Sequence, residues 1–114
     1  MKMVIAYIRH EAFEAIRGDL LEAGFPSITI TEVKGSGRQK AITEHYRGSS
    51  LAVHLRPKLK IECVVETKDV GVIKETILRH ARTGNVGDGL ITVSELAAVY
   101  QIRAGLPEAT AATV

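Results

Sequence analysis

The hydrophobic spacing of this chain switches from two residues to about 3.6 and back, twice over, and that alternation limits what it can fold into. Residues 2–9 alternate Met3, Ile5 and Tyr7 against Val4, Ala6 and Ile8. Both faces are apolar, as in a central, covered strand. From 11 to 23 the apolar stripe becomes Phe13, Ile16, Leu20 and Ala23, with Glu14, Asp19 and Glu22 off it, which predicts an amphipathic helix. Gly24 ends that helix and Pro26 confirms the break. A β-branched run over 28–34 predicts the second strand. In the third, Leu59, Ile61, Cys63 and Val65 alternate with Lys60, Glu62, Val64 and Glu66, which puts Cys63 on the core side. Asp69 is the expected N-cap of a second helix striped by Val70, Ile73, Ile77, Leu78 and Ala81 and closed at Thr83-Gly84. A turn carrying Gly84, Gly87 and Gly89 leads to a fourth strand over 90–94, and a short extended or helical piece runs on to Arg103.

The resulting order, βαββαβ, is two βαβ halves, the ferredoxin-like arrangement. It is an α+β fold in which two helices cover one face of a four-stranded antiparallel sheet. The other face stays open, with Val4, Ala6, Ile8 and Val64 expected on it, and an open apolar face on so small a domain predicts burial in an oligomer. The 114 residues suit a single domain over 1–114, and 46% hydrophobic with 25% charged residues suits a soluble one. No apolar run approaches the roughly 20 residues that span a bilayer, so an integral membrane protein is not expected. The N-terminus lacks a signal-peptide cleavage pattern, and one cysteine leaves no internal disulfide. A cytoplasmic location is the default that follows.

Between the second strand and Arg56-Pro57 lies a connection too long to be filler in a small compact domain. From Lys34 to Lys60 the basic residues Lys34, Arg38, Lys40, Arg47, Arg56, Lys58 and Lys60 face a single acid, Glu44, while the rest of the chain is net acidic. Positive charge concentrated there implies an anionic ligand or an acidic partner surface. Gly35 and Gly37 bracket Ser36 before Arg38-Gln39-Lys40, where backbone can approach a ligand closely. The second glycine cluster can turn amide groups inward as an anion nest, although no Gly-Lys-Ser/Thr of a P-loop follows. Catalytic sets are missing: Cys63 is mid-strand, and His10, His45, His54 and His80 have no metal-ligand spacing. Nucleic acid is not expected, because the third strand carries no aromatic on which a base could stack.

The runs Thr29-Ile30-Thr31-Glu32-Val33-Lys34-Gly35-Ser36-Gly37-Arg38-Gln39-Lys40 and Thr43-Glu44-His45-Tyr46-Arg47-Gly48, with Pro57–Glu62 and Ala81–Gly89, resemble the PII signal-transduction family nearly end to end. The resemblance implies a homotrimer, not an enzyme, that binds ADP, AMP or ATP in clefts between subunits. The long connection, about 36–56, corresponds to the family's T-loop. The turn at about 83–89 corresponds to its phosphate-cradling B-loop, and a small-residue tail covers about 104–114. Nucleotide-site positions fall on Thr29, Gly35, Gly37, Arg38, Gln39, Val64, Gly87, Asp88, Gly89 and Arg103. A small anionic effector, 2-oxoglutarate or bicarbonate, falls on Gln39, Lys40, Ala41 and Lys58, with magnesium at Gln39 if Mg-ATP binds. Ile42, Glu44, Tyr46, Arg47 and Leu51 fall on the part of the T-loop that faces a protein target.

Three positions depart from that pattern. Leu51 stands where uridylylated members carry tyrosine, Leu90 where the family usually has a phosphate-binding lysine, and Gln101 where it usually has arginine. Two lost cations, each contact worth about 1.5–3 kcal/mol, would cost triphosphate most and shift preference toward ADP or AMP. The charge pattern suits both 2-oxoglutarate sensing in nitrogen regulation and bicarbonate sensing by a carboxysome-associated PII-like protein. A ferredoxin-like binding module without nucleotide is the remaining alternative.

Overall fold

A computed structural model describes residues 1–36 and 55–105 of the chain. The elements are β1 (Lys2–Ile8), a 3-10 turn (His10–Ala12), α1 (Phe13–Glu22), β2 (Thr29–Gly35), β3 (Arg56–Val65), a second 3-10 turn (Thr67–Asp69), α2 (Val70–Ala81) and β4 (Leu90–Glu95). The four strands form one antiparallel sheet in the order β2-β3-β1-β4, and both helices lie on one face of it. This is the expected α+β, βαββαβ layout.

The face assignment of β1 differs from expectation. Val4, Ala6 and Ile8 are at most 1% exposed and pack with Ile16, Leu20, Ile73 and Ile77 beneath the helices. Met3, Ile5 and Tyr7 therefore occupy the open face. Because β1 is apolar on both sides, its alternation says that a face is buried without saying which one. The pairing settles it: Val4 sits opposite Cys63 and Ala6 opposite Ile61, both core residues, while Met3 sits opposite Val64. Val64 is on the open face as expected. Cys63 is 3% exposed, and burial pushes its thiol up to about 11, so it is a core side chain rather than a nucleophile.

Helix ends follow local chemistry. Gly24 takes φ +97°, the Phe25 amide donates to Leu20 O at 2.8 Å and the Gly24 amide to Leu21 O at 3.1 Å. That paired closure is a Schellman motif, which only a left-handed residue completes cheaply. At the start of α2, Asp69 is the residue before the helix but makes no side-chain capping bond. The preceding 3-10 turn holds it in the right-handed helical region, not the extended conformation from which a cap reaches back. The helix ends at Ala81 because Arg82 turns extended, ahead of the expected Thr83-Gly84. Thr76, which the apolar stripe passes over, is buried at 4% and satisfies its hydroxyl on Val72 O at 2.8 Å.

Candidate functional site

The chain reverses three times at one end of the sheet. There β1 runs out at Ile8, β2 and β3 face each other from Gly35 to Arg56, and the turn 83–89 feeds β4. The turn is shaped around one carboxylate. Asp88 accepts from the Thr83 amide at 2.7 Å, the Gly84 amide at 2.8 Å, the Thr83 hydroxyl, and Arg9 Nη1 at 2.5 Å. The Asn85 amide donates to Thr83 Oγ1 at 3.1 Å, and the Asp88 amide to Asn85 O at 3.3 Å. These donors, the Thr83 hydroxyl and Arg9 first, hold the Asp88 carboxyl well below the usual aspartate range.

Two cations grip the turn's carbonyls, Arg9 from just past β1 and Lys58 from β3. Arg9 Nη2 donates to Val86 O at 3.2 Å, and Lys58 Nζ donates to Gly87 O. Burial, then the charge of Arg9, lowers the pKa of Lys58 from the ordinary lysine value. Gly84, Gly87 and Gly89 all take positive φ, as the turn requires. At Gly89 a Cβ would also run into the Tyr7 carbonyl, so a side chain has neither the conformation nor the room.

Between this turn and the β2–β3 stem lies a cleft of about 650 Å³, lined on one side by Val33, Lys34, Gly35, Ser36, Arg56 and Lys58. Its other side is Tyr7 and the run Asn85, Val86, Gly87, Asp88, Gly89 and Leu90. Lys34, Arg56 and Lys58 surround it with positive charge. Among the described lining residues Asp88 is the one acid, and its carboxylate is already engaged by Arg9 and the turn. Of the expected site residues, Gly35, Lys58, Gly87, Asp88 and Gly89 are brought together here. Thr29 and Val64 lie toward the opposite end of the sheet, where Thr29 pairs with Glu62 and Met3 with Val64. Arg103 sits in the turn 102–104 beyond β4 and does not line the cleft. Gly37, Arg38, Gln39, Lys40, Ala41, Ile42, Glu44, Tyr46, Arg47 and Leu51 lie outside the described residues.

Sequence reading missed Arg9, Tyr7, Lys34, Arg56 and Val86 as site residues. Arg9 looked like the end of a strand, and its reach across to Val86 and Asp88 is a tertiary fact without local signal. Lys34 and Arg56 were visible as part of the basic concentration. Among the described residues, no cluster of three or more histidine, cysteine, aspartate or glutamate side chains could hold a metal ion. No helix among them is long and apolar enough to cross a membrane.

A ferredoxin-like sheet with a glycine turn and a basic stem facing a cleft at one end defines a small α+β domain with a candidate ligand site. The comparisons say which. The family model for the nitrogen regulatory protein P-II matches residues 1–106, and the chain belongs to that family. It is 47% identical over 105 residues to nitrogen regulatory protein P-II 2 of Methanothermobacter thermautotrophicus, covering 92% of this chain and 91% of that one. It is 46% identical over 105 residues to nitrogen regulatory protein P-II 1 of Escherichia coli K12, covering 92% and 94%.

Proposed function

We propose that this chain is a non-enzymatic, trimeric cytoplasmic signalling protein. It binds an adenine nucleotide in clefts between subunits and regulates a partner protein through the segment between Gly35 and Arg56. The observation that carries the reading is the turn 83–89, closed internally on Asp88 and facing a basic stem across a cleft of about 650 Å³. That volume is in the range of roughly 300–1,000 Å³ typical of small-molecule sites. Tyr7, Val33, Val86 and Leu90 supply apolar wall for a base and ribose. Lys34, Arg56 and Lys58 supply charge for phosphate. Backbone of the glycine turn can come close to phosphate oxygens because no Cβ intervenes.

The spread of the expected contacts supports a cleft between subunits. Thr29 is six strand steps from Gly35, about 20 Å at roughly 3.3 Å per residue, so one nucleotide does not touch both in a single chain. A second copy presenting its Thr29 and Val64 to this cleft, together with its Arg103, would complete the set. A small anion, 2-oxoglutarate or bicarbonate, would join at Lys58 with Gln39, Lys40 and Ala41. The relatives' names speak for the nitrogen side. Magnesium at Gln39 would accompany ATP only.

Leu90 lines the cleft, leaving the turn without a cation at that position. Preference is accordingly toward ADP or AMP. Calorimetric titration with AMP, ADP and ATP tests this, with ADP or AMP expected to bind more tightly than ATP. ATP bound as tightly as either would overturn the preference. A thermal shift with none of the three would overturn nucleotide binding itself, since a ligand at 100 times its Kd stabilises by about 2.7 kcal/mol. Titrating the nucleotide-loaded protein with 2-oxoglutarate and, separately, bicarbonate then identifies the anion.

A further inference from the structure

The turn has two sides, and they are lined differently. The cleft on one side is lined by the β2–β3 stem, Tyr7 and Leu90, but not by Arg9. On the helix side a separate hollow of about 350 Å³ is lined by Arg9, Glu11, Ala12, His80, Ala81 and Thr83, with Asn85 common to both. From that side the Arg9 guanidinium reaches two acceptors at once, Val86 O at 3.2 Å and Asp88 Oδ1 at 2.5 Å. A trans peptide is planar, so its C=O and N–H point in opposite directions. When Arg9 holds the Val86 carbonyl toward the helix side, the N–H of the same peptide, which belongs to Gly87, is turned away from Arg9. Gly87 itself lines the cleft. With φ +102° it has no side chain to resist that orientation.

We infer that Arg9 is a positioning residue for anion binding: from behind the turn it presets the Gly87 amide as a donor toward a phosphate-bearing ligand in the cleft. Its second hydrogen bond, to Asp88, ties the same guanidinium to the carboxylate around which the turn closes. One planar fork thus fixes a peptide's direction and the turn's closure together. A lysine ammonium at the same place supplies the charge without the fixed fork. Arg9 touches no ligand. It acts by sparing the turn the reordering that binding would otherwise require.

The inference rests on the proposed reading of the cleft as a phosphate site, and the test separates the two. Wild type, Arg9→Met and Arg9→Lys are titrated by calorimetry with ADP, adenosine and inorganic pyrophosphate, and each is melted without ligand. Arg9→Met is expected to weaken ADP and pyrophosphate about 10-fold, the equivalent of one Gly87 amide–phosphate hydrogen bond no longer preset, while leaving adenosine unchanged. Arg9→Lys is expected to recover part of that loss. Wild-type affinity for ADP and pyrophosphate in Arg9→Met overturns the inference. So does an equal loss for ADP and adenosine with a lowered melting temperature, which marks a merely structural role. Should Arg9→Met fail to fold, Arg9→Lys decides, with about 3-fold weaker ADP binding expected and an unchanged affinity counting against it. If wild type binds pyrophosphate but no adenine nucleotide, the functional reading fails and Arg9 is judged on pyrophosphate. If it binds neither, both fail.

Discussion

Asp88 shows how one side chain can organise a turn from within. The family resemblance implies a nucleotide-site position here, and the carboxylate itself is taken up by Thr83, Gly84 and Arg9. The glycines of the turn were legible because positive φ leaves a compositional trace. The carboxylate's inward role was not, since an aspartate in a turn reads the same whether it points in or out. Ionised Asp88 is favoured by these donors, so its pKa in the folded chain is depressed below the ordinary value of 3.8. A depressed carboxylate stabilises the fold above its unfolded pKa, and that contribution fades as pH falls through about 4 toward the folded value. The amide proton shifts of Thr83 and Gly84, followed by NMR from pH 6 downward, should move together with a midpoint well below 3.8. A midpoint near 4 would mean that the donors do not hold the charged form.

At the scale of elements, the core is closed by the two helices against β1 and β3. Ile73 and Ile77 of α2 and Ile16 and Leu20 of α1 are 0–2% exposed against the sheet. Each such side chain contributes about 1.5–3 kcal/mol by leaving water. Ion pairs tie the helices at their rims, where Asp19 accepts from Arg79 at 3.0 Å and meets His80 Nε2 at 2.7 Å. Exposed pairs of that kind add little beside the core. The α2 stripe illustrates what periodicity resolves. It picks out Ile73 and Ile77 correctly but also includes Leu78, which is 38% exposed at the stripe's edge. Substitution separates these positions: Ile73→Ala should lower unfolding free energy by about 3 kcal/mol through lost burial and a residual cavity. Leu78→Ala should cost under about 1 kcal/mol. Urea unfolding followed by circular dichroism, at one protein concentration, measures both. Equal costs would show that Leu78 is covered in solution by something beyond a single chain.

At the scale of the whole molecule, the uncovered sheet face is the feature that a single chain leaves unexplained. An apolar patch predicted oligomerisation from the sequence, although with the wrong residues of β1. Met3, Ile5 and Tyr7 form it, beside Val64, and the same expectation carries over to them because β1 is apolar on either side. What was illegible is how register divides two equivalent faces: the alternation of β3 is clear, but which β1 residue sits opposite which β3 residue is a long-range fact. A half-buried apolar patch on a central strand is covered at little cost by copies of itself, and closed rotational symmetry lets each copy satisfy the same patch. The proposed trimer should therefore appear by light scattering at three times the 12.4 kDa of one chain. Ile5→Glu places a charge at the centre of the patch while leaving the helix-side core intact, so the sheet should still fold but assembly should fail. If, as proposed, Thr29, Val64 and Arg103 of a neighbour complete the cleft, the same variant should lose thermal stabilisation by ADP. An Ile5→Glu monomer that still gains stability with ADP would confine the nucleotide to the cleft of one chain and remove the neighbour's contacts from the site. A wild-type chain that scatters as a monomer would leave the open face without its expected cover.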